Sequence, residues 1–404
     1  MKRIARKYVE FVRQPDVARL LVVALLSRMP IGMVGFSMLM FLRESLGNFA
    51  LAGTAVGINF LSLAIAAPIQ GRLIDRYGPG RLLAVTGVVQ PLALGAILFS
   101  ATEGYPFAVV VVCAAVAGIF ASPITTVTRT MWRHRFDRED DRRTAFALDA
   151  VTIELNFTLG PAIIAGMLAA YSARAAFGLA IGTVVAAMAI YLGSGTLAHF
   201  KRVANDGPRH LLGPLTDPRL LLIFAATFGL TLCFGLLEVG YPAFATALTM
   251  PALGGILLAV NSLGSAAGGM LYGGMHFRAP VERQFTVAMA LMAIPLFLHA
   301  LWLQPLVFGV VAFFAGALIA PSITAQAVLV SRLAPARYAT EAFTWSSTFI
   351  VSGIGAGVAV GGHLVETTGL RTAFASGGFI MAAMALLILV AFPSPALDAS
   401  TTND

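Results

Sequence analysis

A succession of long apolar runs constrains the fold of this chain more than any other feature. A helix rises about 1.5 Å per residue, so roughly 20 apolar residues cross the hydrocarbon core of a bilayer. Runs of about that length or more lie near residues 17–43, 51–74, 81–101, 106–131, 144–171, 174–197, 219–247, 252–275, 283–303, 305–331, 340–366 and 372–392. In lipid, backbone polar groups have to be satisfied inside the segment itself, and for runs of this length that means a helix. Composition agrees: 58% of the 404 residues are hydrophobic and 11% are charged, against about 25% charged in soluble domains. The expected fold class is an all-α membrane protein of twelve transmembrane helices.

The net charge of +8 invites a nucleic-acid reading, but its distribution argues against one. The lysines and arginines crowd into the first residues and into alternate loops. Only Arg43, Arg174 and Arg371 fall in the other set of loops, and Arg28 lies inside a segment. That asymmetry is the positive-inside pattern, and it predicts that both termini lie in the cytoplasm of a protein of the plasma (inner) membrane. No cleavable signal peptide is expected, because the first apolar run is too long for a signal core. Residues 1–16 read as a basic cytoplasmic arm, 17–197 as a first six-helix bundle, and 198–217 as a polar cytoplasmic linker. Residues 218–393 read as a second six-helix bundle and 394–404 as a disordered tail.

The two bundles repeat each other. Ala121-Ser122-Pro123 recurs as Ile319-Ala320-Pro321, Arg174-Ala175-Ala176-Phe177 as Arg371-Thr372-Ala373-Phe374, Ala145-Phe146 as Ala342-Phe343, and Arg19-Leu20-Leu21 as Arg219-Leu220-Leu221. Four matches in order at nearly one offset point to duplication.

Between segments 2 and 3 stands Gly71-Arg72-Leu73-Ile74-Asp75-Arg76-Tyr77-Gly78-Pro79-Gly80-Arg81. Gly78 and Gly80 bracket Pro79, as a tight turn wants, and Gly71 is small enough for two helices to approach closely. The pattern resembles the signature loop between helices 2 and 3 of the major facilitator superfamily of secondary transporters. The resemblance implies two pseudo-symmetric six-helix bundles rocking around a midplane site. It also implies a gating role for Gly71, Asp75, Arg76, Gly78 and Arg81 against the second half near helix 11. In segment 5, Gly160-Pro161-Ala162-Ile163-Ile164-Ala165-Gly166 resembles the G-P-x-x-x-G core found in the drug–proton antiporters of that superfamily. Ala165 departs from the usual terminal glycine pair, and Val151 to Glu154 lack the upstream glycine. The helix 4 arginine of that group is absent as well, since Ala114 to Ala117 precede Gly118.

A charge inside the bilayer costs about 2.5–3.5 kcal/mol on insertion scales, so each one needs a reason. Four qualify: Arg28, Asp149, Glu154 and Glu238. Arg28 and Glu154 fall at similar depth, which predicts a midplane pair in which Glu154 carries a proton and Arg28 faces substrate, or else a static tether between two helices. Asp149, nearer the basic end, is expected to pair with Arg129 or a loop arginine. Glu238 is expected near the outer end of its helix, reaching headgroups or lining the mouth of a cavity. The three acids are the candidate proton carriers.

Candidate substrate residues are Arg28, Phe36, Asn59, Asn156, Phe157, Asn261, Gln326 and Trp345, with Gln90 and Ser346 as further polar positions. Met33, Met38, Met40, Phe41, Phe228 and Phe234 extend the apolar set. Together they suit an apolar or amphipathic ligand better than a sugar, which wants more amides and carboxylates. Trp132 and Trp302 read as interfacial anchors, and Cys113 and Cys233 as small core residues.

No Gly-Lys dipeptide occurs, so no phosphate-binding Walker loop is present. The six histidines lack metal-ligand spacing, and no G-x-S-x-G elbow appears. No cofactor, metal, nucleic-acid or enzymatic role is expected. The reading is a monomeric secondary transporter with a small-molecule substrate, protons and membrane lipids as partners. Proton-coupled efflux is favoured; proton-coupled uptake of a nutrient or lipid-like solute is one alternative, and a non-transporting membrane sensor or scaffold is another.

Overall fold

A computed structural model describes residues 11–392 apart from 15, 137, 196, 198–212, 276, 302–303 and 336–338. The basic arm, most of the linker, the tail and Trp302 therefore lie outside the described residues. Among the described residues, twelve helices are long and apolar enough to span a membrane. They are α1 (Val17–Leu46), α2 (Phe49–Tyr77), α3 (Pro79–Thr102), α4 (Phe107–Ile119, continuing as Ile124–Arg135), α5 (Glu139–Ala170) and α6 (Ala173–Gly193) in the first half. In the second half they are α7 (Pro218–Ala247), α8 (Pro251–Gly274), α9 (Val281–His299), α10 (Pro305–Ala317, continuing as Ile319–Leu333), α11 (Ala339–Thr367) and α12 (Leu370–Ala391). No strand occurs among the described residues.

The helix boundaries follow local chemistry. Asn48, Ser172 and Asp217 cap α2, α6 and α7 by accepting from Leu51 N, Ala175 N and Arg219 N at 2.8, 3.1 and 2.8 Å. Such acceptors satisfy amides that have no intrahelical partner. Pro79, Pro218, Pro251 and Pro305 each occupy a first helical position, where the missing N–H costs nothing. The turn between α2 and α3 is shorter than the glycine–proline pattern suggests. Helix α2 runs to Tyr77, and Gly78 alone, at φ 82°, reverses the chain before α3 starts at Pro79.

The duplication is visible in geometry. Helix α4 breaks between Ile119 and Ile124, with Pro123 capping the second piece, and α10 breaks at Leu318, three residues before Pro321. Asn59 Nδ2 on α2 donates to the Ala114 carbonyl on α4 at 3.0 Å, and Asn261 Nδ2 on α8 donates to the Ala312 carbonyl on α10 at 3.0 Å. Gly118 then faces the Asn59 carbonyl, and Gly316 the Asn261 carbonyl, with no room for a side chain. One joint has been built twice.

The two largest apolar cores centre one on each half, and the first reaches across to Val239, Ala243 and Val358 of the second. In the first, Phe41 stacks on Phe177 with ring centroids 5.3 Å apart. In the second, Phe244 stacks on Phe308 at 3.8 Å, and Tyr241, His299 and Phe374 close around them. The halves meet along α2 against α11 and α5 against α8. Two side-chain expectations fail at this level. Trp132 is not an interfacial anchor; it is fully buried and donates from Nε1 to Asp149 Oδ1 at 3.1 Å. Gly71 makes no close helix contact, since a Cβ there would meet nothing within 4 Å.

Candidate substrate cavity

The breaks and bends leave a cavity of about 250 Å³ between the halves. Aromatic rings from both halves line it: Phe36 and Phe60 from α1 and α2, Phe157 from α5 and Phe234 from α7. Leu258, Ile319, Ile323, Ile350 and Ile354 complete an apolar wall. Polar groups are few. Asn261, Ser262 and Ser265 come from α8, Thr231 from α7, and two carboxylates enter from opposite halves, Glu154 on α5 and Glu238 on α7. Both glutamates are half-buried, and neither has an ion-pair partner among the described residues. An apolar cavity with a few convergent polar groups is the usual form of a small-molecule site.

The expected Arg28–Glu154 pair does not form. Arg28 Nη1 instead donates to Asp149 Oδ1 at 2.7 Å and to Thr152 Oγ1 at 3.2 Å. Arg28 and Asp149 are 0% and 1% exposed. Arg129 Nε reaches Asp149 Oδ2 at 3.5 Å from a side chain that is 54% exposed, as expected of that pair. Through Arg28, Arg129 and Trp132, Asp149 thus ties its own helix to α1 and to the second piece of α4. An isolated buried charge is costly, and this carboxylate is surrounded by three donors. Two nitrogens of Arg28, Nε and Nη2, are buried without a partner among the described residues, as are both amide atoms of Asn156.

Of the predicted substrate residues, Phe36, Phe157 and Asn261 line the cavity. Arg28, Asn59, Asn156, Gln326 and Trp345 do not. Asn59 is spent on the α2–α4 joint. Gln326 Nε2 donates to Ser346 Oγ at 2.9 Å inside the second half, and Trp345 packs beside Phe349 with centroids 6.3 Å apart. Of the predicted proton carriers, Glu154 and Glu238 reach the cavity and Asp149 does not. Phe60, Thr231, Ser262 and Ser265 went unrecognised in the sequence. The small-residue run Asn261-Ser262-Leu263-Gly264-Ser265, polar in a membrane span, was the available signal.

In the helix 5 motif, Gly160 lies against α1, where a Cβ would fall 2.6 Å from the Gly32 carbonyl carbon. Pro161 lines the cavity, and Gly166 faces open space. In the loop motif, Arg76 lies over the Tyr77 ring at 5.1 Å and Arg81 is exposed. The Asp75 side chain lies outside the described residues.

Close approaches between the halves sit toward the end away from the basic loops. There a Cβ on Gly53 would lie 2.6 Å from the Val358 carbonyl oxygen, and one on Gly57 the same distance from that of Gly355. Beside the cavity, Thr158 Oγ1 lies 3.0 Å from Ser262 Oγ of the other half and 3.0 Å from the Glu154 carbonyl.

A family model described as Major Facilitator Superfamily matches residues 20–354. Among solved structures, a mutant of the nucleoside transporter NupG is similar with a TM-score of 0.78 at 13% identity, covering 93% of this chain and 99% of that one. A mutant of the peptide transporter POT is similar with a TM-score of 0.72 at 12% identity, over 92% of this chain and 93% of that one. The same transporter in complex with sulfate gives 0.71 at 13% identity, again over 92% and 93%. At such identities the likeness establishes the fold alone. No curated protein matches the chain.

Proposed function

The chain belongs to the Major Facilitator Superfamily, and we propose that it is a proton-coupled secondary transporter exporting a small amphipathic compound that carries a positive charge. It is an integral membrane transporter, and the finer reading rests above all on one observation. Two carboxylates from opposite halves, Glu154 and Glu238, enter one largely apolar cavity with no cationic partner among the described residues. A carboxylate so placed is neutralised either by a proton or by a cation. A ligand with an apolar body and an ammonium group fits the rings of Phe36, Phe60, Phe157 and Phe234 and competes with protons for the acids. That competition is the coupling: binding one species lowers the affinity for the other by the same factor.

The positive-inside pattern supports a cytoplasmic basic end, and the proposal sets both termini there, in a protein of the inner membrane. On that placement the conformation, packed at the opposite end, is the inward-facing one. The proposal gives Glu154 the role of proton carrier and Glu238 that of the second charge on the substrate path. The loop from Gly71 to Arg81, Asp75 included, is proposed to grip the second half once the basic end closes, when Gly71 gains the neighbours that it lacks in this conformation. The transporter is proposed to work as a monomer.

Counterflow in proteoliposomes tests the substrate class. Lipophilic amines should exchange, and their neutral isosteres should exchange at least about tenfold more slowly, the equivalent of about 1.4 kcal/mol. Equal exchange of both sets would reject the charge requirement. With a quaternary ammonium probe, which is not trapped as a weak base, protein-dependent accumulation inside inside-out vesicles acidified within favours export; protein-dependent depletion of preloaded probe favours uptake.

A further inference from the structure

Among the hydrogen bonds between the halves are two that frame the interface. One is Thr158–Ser262 beside the cavity, and the other lies at the closed end. There the backbone N–H of Phe49, first residue of α2, donates to Glu366 Oε2 on α11 at 3.0 Å. The first amides of a helix have no acceptor within it. Asn48 Oδ1 takes that of Leu51; the opposite half supplies the acceptor for Phe49. A carboxylate is also favoured at this position by the helix dipole. Below the contact runs the glycine seam of Gly53 and Gly57 against Gly355 and Gly362. Backbones touch there, so the seam contributes dispersion but little direction. Glu366 stands one turn beyond Gly362, and opening this end breaks its bond and frees the α2 terminus. Arg43, at the last turn of α1, lies over the Phe49 ring at 5.5 Å and braces the same corner from the first half.

We propose that Glu366 is a latch between the halves: its carboxylate caps α2 across the interface and holds the transporter open at the basic end. The latch rests on the alternating-access reading above. It gives a residue far from the cavity control over which side the cavity faces.

Hydrogen exchange of the full chain in lipid nanodiscs tests it. In Glu366→Leu, exchange should rise several-fold in residues 49–57 and 355–367 and fall in residues 62–74 and 341–350. That reciprocal pattern means that one end has opened while the other has closed; simple fraying of the α2 terminus raises exchange at the closed end alone. Glu366→Gln keeps an oxygen acceptor and loses the charge, so the same segments should shift in the same directions by a smaller factor. This milder variant carries the test where the leucine protein folds poorly. Gly57→Trp, which wedges the seam, reports the rocking motion itself. A reciprocal change in Gly57→Trp with none in the Glu366 variants, or a rise confined to residues 49–57, would overturn the latch. Absence of a reciprocal change in all three would overturn the rocking motion and the latch with it.

Discussion

Arg28 and Asp149 form a buried ion pair at 2.7 Å that binds α1 to α5, and neither side chain is more than 1% exposed. Removing one partner leaves the other charge uncompensated, at about 3–5 kcal/mol. Arg28→Met and Asp149→Asn should each lower the thermal stability of the purified protein strongly. The double variant should lose clearly less than the sum, because the cycle contains their coupling. The parallel cycle of Arg28→Met with Glu154→Gln should be additive. Additivity in the first cycle, or coupling in the second, would contradict the geometry.

The two glycines of the helix 5 motif should behave oppositely. Gly160 abuts the α1 backbone at Gly32, so Gly160→Ala forces the helices apart at about 1–3 kcal/mol. Gly166 faces open space within a helix, where alanine gains roughly 0.5–1 kcal/mol over glycine. Melting curves of the two variants check this: a fall for Gly160→Ala and no fall for Gly166→Ala. Equal losses would mean that both glycines sit in contacts.

The repeated asparagine joint separates structure from binding. Asn59→Leu and Asn261→Leu each remove a hydrogen bond that ties two helices, worth about 0.5–1.5 kcal/mol. Stability should fall similarly in both. Only Asn261 lines the cavity, so only Asn261→Leu should also change substrate affinity. A binding isotherm altered by Asn59→Leu would return that residue to the site.

The spans, the duplication and the charged residues within the spans were legible in the sequence because bilayer thickness and the cost of intramembrane charge are strong, local constraints. The pairing was not, and the reason is angular. Arg28 stands 11 residues into α1, and Asp149 stands 10 residues into α5, which begins at Glu139 rather than near 144. Depth counted from near 144 therefore favoured Glu154 over Asp149 as the partner of Arg28. At about 100° per residue, Asp149, Thr152, Asn156 and Gly160 share one face of α5, and Glu154 points away from it. Thr152 binds Arg28 and Gly160 meets Gly32, so that face belongs to α1, while Glu154 turns to the cavity. The small and polar residues spaced by three and four were the readable trace. Asn59 and Gln326 were misassigned for a different reason: an amide inside a span satisfies a neighbouring helix as readily as a ligand, and only tertiary contacts tell which.

On the proposed mechanism, Glu154 converts a proton gradient into substrate movement. A proton carrier has to be ionisable, reach water from alternate sides and feel the substrate. Asp149 is held by Arg28, Arg129 and Trp132, whereas Glu154 enters the cavity unpaired among the described residues. The direct measurement is substrate movement by Glu154→Gln in proteoliposomes, with and without an imposed pH gradient. This variant should still exchange labelled substrate across the membrane but no longer concentrate it when the gradient is applied. Full gradient-driven accumulation in Glu154→Gln would contradict it and transfer the role to another acid, Glu238 first.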